Sequence, residues 1–157
     1  MSVVTFTAWT LPIGQPRQEH GARMIAGKPR SYNYVDAHHP VHAFKRFIRE
    51  ACEDVWAGPP WTGPIGLHVL AIFRRPKRLV WKRRPMPPEW HTAKPDEDNV
   101  SKAIKDALTG LAWKDDAQVA RSLVEKWIAT GDGPLAFQTW VRVTITKLSP
   151  LHSQEHP

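Results

Sequence analysis

The chain has 157 residues, a formal net charge of +7 and a pI near 9.9, a size that suits one domain with a real core and a charge that favours a polyanionic partner. Its single cysteine, Cys52, excludes an internal disulfide and a cysteine-rich zinc site. No apolar run reaches the length of a membrane span and the N-terminus lacks the apolar segment of a secretory signal, so a cytoplasmic protein that avoids the membrane is expected.

Residues 3–9 alternate and are rich in β-formers, which predicts a first strand. Residues 11–38 hold Pro12, Gly14, Pro16, Gly21, Gly27 and Pro29 and read as an irregular stretch, with Arg17, Arg23, Lys28 and Arg30 able to reach a phosphate backbone and Tyr32 and Tyr34 anchoring it on the core. Residues 40–56 predict a helix, with Pro40 at its first position and Val41, Phe44, Phe47, Ile48, Ala51, Cys52 and Val55 on one face. Cys52 on that face is a packing residue. His38, His39 and His42 cluster near the helix start without a carboxylate or cysteine partner at metal-ligand spacing, so they read as solvated.

Residues 65–73 predict a strand, with Ile65, Leu67, Val69, Ala71 and Phe73 on one face and Leu70 and Ile72 on the other. It runs into the densest positive patch of the chain, where Arg74, Arg75, Lys77, Arg78, Lys82, Arg83 and Arg84 surround Trp81. Lysine and arginine contacts to phosphates dominate nucleic-acid affinity, and an aromatic ring can stack on an unpaired base, so the run is expected to contact DNA. Three prolines then make residues 85–92 a loop, and His91 within it has no expected catalytic role. Residues 118–129 and 135–148 predict two strands joined by a turn at 130–134, a hairpin, with Lys126 either near the acidic stretch or, more simply, an ordinary exposed lysine. Residues 149–157 form a polar, frayed tail outside a single domain of residues 1–148.

The informative stretch is residues 94–118. Val100, Ala103, Ile104, Ala107, Leu108 and Leu111 recur at the spacing of one helical face, Asp98 or Asn99 can cap the start, and Gly110 suits a left-handed stop. Asp96 and Asp98 precede the helix two residues apart and Asp115 and Asp116 follow it. A turn that returned Asp115 or Asp116 beside Asp96 and Asp98 would make a three-carboxylate cluster, whose mutual repulsion a hard divalent cation relieves. Lys102, one helical turn beyond Asp98, could face a phosphate held there. Taken singly, a solvated cap, a surface Lys102–Asp106 pair and a polar turn are blander alternatives.

The pattern Asp96-x-Asp98-Asn99-x-x-Lys102, then Asp106-Ala107-Leu108, then Trp113-x-Asp115-Asp116-x-Gln118, resembles the signature of the RusA family of Holliday-junction resolvases. The resemblance implies a homodimer, Mg²⁺ (with Mn²⁺ as an alternative ion) and phosphodiester hydrolysis at four-way DNA junctions, in phages or their hosts. It implies Asp96, Asp98 and Asp116 as metal-site aspartates, with Asp115 the alternative third ligand, and Lys102 as catalytic lysine. The DNA surface would comprise Arg17, Arg74, Arg75, Lys77, Arg78, Trp81, Lys82, Arg83 and Arg84. The fold expected is a small α+β domain, one mixed sheet of about four strands covered by two main helices. Two other function classes remain open from the residues: a branched-DNA-binding protein without catalysis, and a small Mg²⁺-dependent nucleotide phosphohydrolase that would not need the basic run.

Overall fold

The computed structural model describes residues 2–84, 86–131 and 137–149. In chain order these form β1 (Val3–Ala8), β2 (Glu19–Ile25), β3 (Lys28–Tyr34), α1 (Val41–Glu53), β4 (Ile65–Phe73), β5 (Glu89–Trp90), α2 (Glu97–Leu108), β6 (Val119–Ile128) and β7 (Trp140–Lys147). Residues 132–134 of the expected turn at 130–134, the start of the last strand at Leu135 and most of the expected polar tail lie outside the described residues.

The main sheet has the strand order β1-β7-β4-β6-β5. It is an α+β arrangement with five strands rather than about four, because Glu89 and Trp90 pair with Ile128 and Trp127 in a stretch whose prolines masked a strand of two residues. β4 and β6 run parallel, and the remaining pairs are antiparallel. Parallel neighbours need a crossover, and α2 supplies it. That crossover overturns the expected β6–β7 hairpin: β7 lies between β1 and β4, and β4 separates it from β6.

One face of the sheet carries both helices. Val69, Val141, Val143 and Ile145 from the strands meet Phe44 and Ile48 from α1 and Val100, Ile104 and Leu108 from α2, all fully buried or nearly so. Each such side chain contributes about 1.5–3 kcal/mol through its removal from water. Cys52 belongs to this core, and burial pushes its thiol up to about 12. Phe47 and Val55, expected on the apolar face of α1, are exposed, because the buried stripe narrows to Val41, Phe44, Ile48 and Cys52. Pro40 sits at the N-cap, one position before the first turn where it was expected.

β2 and β3 form a separate two-stranded sheet where an irregular stretch was expected. Ala26 and Gly27, with φ of 51° and 74°, make the tight turn that joins them. Its residues are exposed on both faces apart from half-buried Gly21, so no apolar alternation marked the strands. Tyr32 and Tyr34 stack on each other at 5.7 Å and stay exposed instead of anchoring on the core.

Candidate active site

The first acidic pair stands at the start of α2. Asp96 occupies the N-cap with extended backbone, two residues before Asp98 and three before Asn99, where the cap was expected, so Asp98 lies in the first turn. No side chain caps this helix end, and both carboxylates are exposed with no hydrogen bond or ion pair among the described residues. The unpaired N–H groups there give the helix end a partial positive charge, which favours carboxylates or a phosphate oxygen. Lys102 follows one turn later, exposed and also without an ion pair. Asp106, its alternative partner, instead binds Lys45 at 2.8 Å and ties α2 to α1.

A loop from the N-terminal region closes over this end. The Gln15 N–H donates to the Asn99 carbonyl at 2.8 Å. Gly14 packs so closely that a Cβ there would lie 2.6 Å from Pro95 Cβ and 3.1 Å from Asn99 Cβ. The result is a cleft of about 780 Å³ bounded by Arg17, Lys94, Pro95, Asp96 and Asn99, which continues into a hollow beside Lys102. Arg17, Asp96 and Lys102 thus share one groove. Gln15 Oε1 is buried in its wall with no hydrogen-bond partner among the described residues. His39, at the same cleft, accepts a hydrogen bond from the Val41 N–H, and His42 bonds the Asp36 carbonyl, so these histidines secure the start of α1.

From below, β6 fixes the approach to Asp96. Lys126 Nζ donates to the Ala93 carbonyl at 2.9 Å and to the Pro95 carbonyl at 2.6 Å. The lysine expected to be an ordinary surface residue therefore holds the segment that presents the carboxylate, a role invisible until β6 is placed against residues 91–95. His91 stacks on Phe73 at 3.9 Å, and burial with the nearby Lys126 charge holds its pKa below the usual histidine range.

The second acidic pair lies elsewhere. Asp115 caps a short 3₁₀ turn, Asp116–Gln118: its Oδ1 accepts from the Ala117 N–H at 2.8 Å, and Gln118 Oε1 accepts from the Asp115 N–H at 3.1 Å. Gln118 Nε2 donates to the Trp61 and Gly63 carbonyls, pinning the turn to the loop before β4. Asp116 is exposed and has no hydrogen bond or ion pair among the described residues, so of the two it is the carboxylate left free. Both border a hollow with Asp106 and Thr109, at the far end of α2. A helix of 12 residues spans about 18 Å. The expected return of this pair beside Asp96 and Asp98 therefore does not occur within one chain, and among the described residues no three histidine, cysteine or acidic side chains are grouped to hold a metal. The physical reason is that β6 runs antiparallel to α2, so its start, where Asp116 lies, is carried away from the start of the helix.

In the basic run, Arg74, Lys77, Arg78, Lys82, Arg83 and Arg84 are exposed. Arg75 is a correction. Its guanidinium is fully buried, donating to the Ala129, Leu79 and Pro87 carbonyls and to Glu89 at 3.2 Å, so it cannot reach DNA. Trp81 is half-buried with the Arg84 guanidinium 3.7 Å from its ring centre. The open aromatic ring in this region is Trp90, which the proline-rich surroundings hid.

Compared with known proteins, residues 12–134 match the family model of the endodeoxyribonuclease RusA. The chain belongs to the RusA endodeoxyribonuclease family. The match takes in the Arg17 loop, the basic run, both acidic pairs and Lys102, so the family identity covers every part of the groove described above. A further relative, an uncharacterized protein YqaN of Bacillus subtilis (strain 168), is 27% identical over 132 residues, covering 81% of this chain and 89% of its own length. As a RusA-family member the chain is a nuclease of the Holliday-junction type, a hydrolase that binds branched DNA.

Proposed function

We propose that this protein is a Mg²⁺-dependent, structure-selective endonuclease that resolves four-way DNA junctions by paired symmetric nicks, acting as a homodimer. The observation that carries the proposal is the groove itself. Asp96 and Asp98, both unpaired among the described residues, stand at a helix N-terminus with Lys102 one turn on, and Arg17 lines the cleft that holds Asp96.

Two exposed carboxylates two residues apart fit a hard cation, since Mg²⁺ typically takes one or two carboxylates and completes its shell with water and substrate phosphate. Asp96 and Asp98 would hold it, and when bound it supplies an activated water and neutralises charge on the scissile phosphate. Lys102 adds positive charge where the phosphate oxygens gain it. Arg17 binds the neighbouring phosphate, and the exposed lysines and arginines of residues 74–84 hold the flanking duplex arm.

A four-way junction has approximate two-fold symmetry, so two matched cuts call for two related copies. The split of the acidic residues over both ends of α2 supports the same reading: Asp116 of one copy would complete the Asp96–Asp98 pair of the other.

The experiment is cleavage of a labelled four-way junction with Mg²⁺, with EDTA, and by Asp98→Asn, beside a linear duplex of the same sequence. Paired nicks in the junction alone, lost with EDTA and with the variant while binding persists, are expected. Tight junction binding without nicking under any divalent metal would instead make this a binding protein. Mixing Asp98→Asn with Asp116→Asn tests the shared site, because a mixed dimer regains one intact centre and nicks one strand. No recovery on mixing places all the aspartates of a centre in one chain.

A further inference from the structure

We infer that Trp90, backed by Trp127, is a stacking platform for an unpaired nucleobase of the DNA, next to the cutting site. The inference rests on the nuclease reading for its substrate, and on separate residues for its evidence.

Trp90 lies on the edge strand β5 and is 56% exposed, although the fold asks for no large aromatic there. Its ring lies against Trp127 with centroids 3.8 Å apart and planes at 31°. One face of the indole is thereby held rigid and the other is left open. A purine or pyrimidine of any identity can cover such a face, because every base has one.

Its position is the second argument. On one side Arg75 bonds Glu89, the neighbour of Trp90, and the Pro87 carbonyl, which ties the basic run to β5. On the other side Lys126, the neighbour of Trp127, bonds the Pro95 carbonyl just before Asp96. The platform thus stands between exposed cations and exposed carboxylates. Asp96 follows Trp90 by six positions, a span of at most about 20 Å. That is about the length of six stacked nucleotides, so one strand can reach both.

Chemistry selects this ring over the one inside the basic run. Arg84 already lies over Trp81. Trp127, which backs Trp90, also borders an apolar hollow of about 460 Å³ with Leu70, Ile72, Pro88 and Trp140, so the support of the platform is itself set in an apolar surface. Linear duplex hides its base faces, whereas a branch point exposes them. A platform here therefore favours branched over linear DNA without reading sequence.

The test uses the full chain carrying Asp98→Asn, so that binding is read without cutting, and compares Trp90→Ala, Trp90→Phe and the parent. The probes are a single-stranded oligo(dT), a four-way junction and a linear duplex, followed by fluorescence anisotropy, with tryptophan quenching by oligo(dT) as a direct readout. Expected are a loss of about tenfold or more for Trp90→Ala on oligo(dT) and the junction, near-unchanged duplex affinity, reduced quenching, and rescue by Trp90→Phe. An equal loss on all three probes, or no loss on any, overturns the platform. So does a Trp90→Ala protein that sediments as single copies where its parent associates, since the ring then serves contact between copies. Strong quenching that depends on Trp90 in a wild-type protein unable to nick junctions supports the platform while removing the nuclease reading, so the two fail separately.

Discussion

Lys126 Nζ lies 2.6 Å from the Pro95 carbonyl, one residue before Asp96, so a strand in the sheet sets where the first carboxylate of the groove stands. The same ammonium also binds the Ala93 carbonyl. Lys126→Met keeps the length of the side chain and removes both bonds. Cleavage of a four-way junction is expected to fall at least tenfold in rate, with affinity for the junction changed less than threefold, because a carboxylate displaced by about 1 Å loses its geometry before DNA loses its grip. Lys126→Arg should recover part of the rate. Equal losses in rate and affinity would show that Lys126 contacts the DNA itself.

Gly14 is the second lever on the same helix end. A methyl group at this position meets Pro95 Cβ at 2.6 Å, inside any tolerable contact, and neither proline nor the cap segment can swing aside as a flexible side chain would. Gly14→Ala is expected to cost about 1–3 kcal/mol in a urea titration and to move the Arg17 loop off the groove. Loss of junction cleavage larger than the stability loss explains would confirm that the loop is a wall of the site.

Arg75 and Arg78 separate structure from DNA contact within one basic run. Arg75→Ala leaves half-exposed Glu89 and the carbonyls of Ala129, Leu79 and Pro87 without their donor, and should lower stability by about 1–3 kcal/mol without changing the salt dependence of DNA binding. Arg78→Ala should leave the melting temperature within a degree or two and reduce the slope of log affinity against log salt by about 1. The reverse pattern would mean that charge in this segment, rather than its anchoring, holds the fold.

His91 makes stability depend on pH. Burial, and next the Lys126 charge, keep it neutral in the folded chain below the pH at which an unfolded histidine takes up a proton. Between about pH 6.5 and its lower folded value the unfolded chain therefore binds more protons, and stability falls as the pH drops through that window. His91→Phe preserves the stack on Phe73 and should flatten this fall. Urea midpoints at pH 7.5 and 5.5 measure it: an unchanged drop in the variant would assign the effect to other histidines.

Much of this was legible in the residues. The 3.6-residue stripe of α2, the strict alternation of β4 and the left-handed Gly110 all follow from local pattern, and the structure reproduces them. The family signature was legible for the same reason, being compressed into one helix and its two flanks. What failed was long-range. β6 and β7 are adjacent in sequence and look like a hairpin, yet the parallel crossover through α2 inserts β4 between them, and no local pattern records that. The same crossover sends Asp116 to the opposite end of the helix from Asp96. Arg75 reads as one more surface cation because its acceptors are carbonyls 4, 12 and 54 positions away, which composition cannot reveal.

The β2–β3 hairpin adds almost nothing to the buried interior, although Arg23, Lys28 and Arg30 ride on it. Reach and chemistry are therefore carried by separable parts of one polypeptide. The hairpin can be lengthened, trimmed or recharged while the sheet and its two helices fold as before, so a nuclease on this scaffold can be refitted to a different DNA geometry without disturbing the groove at the start of α2.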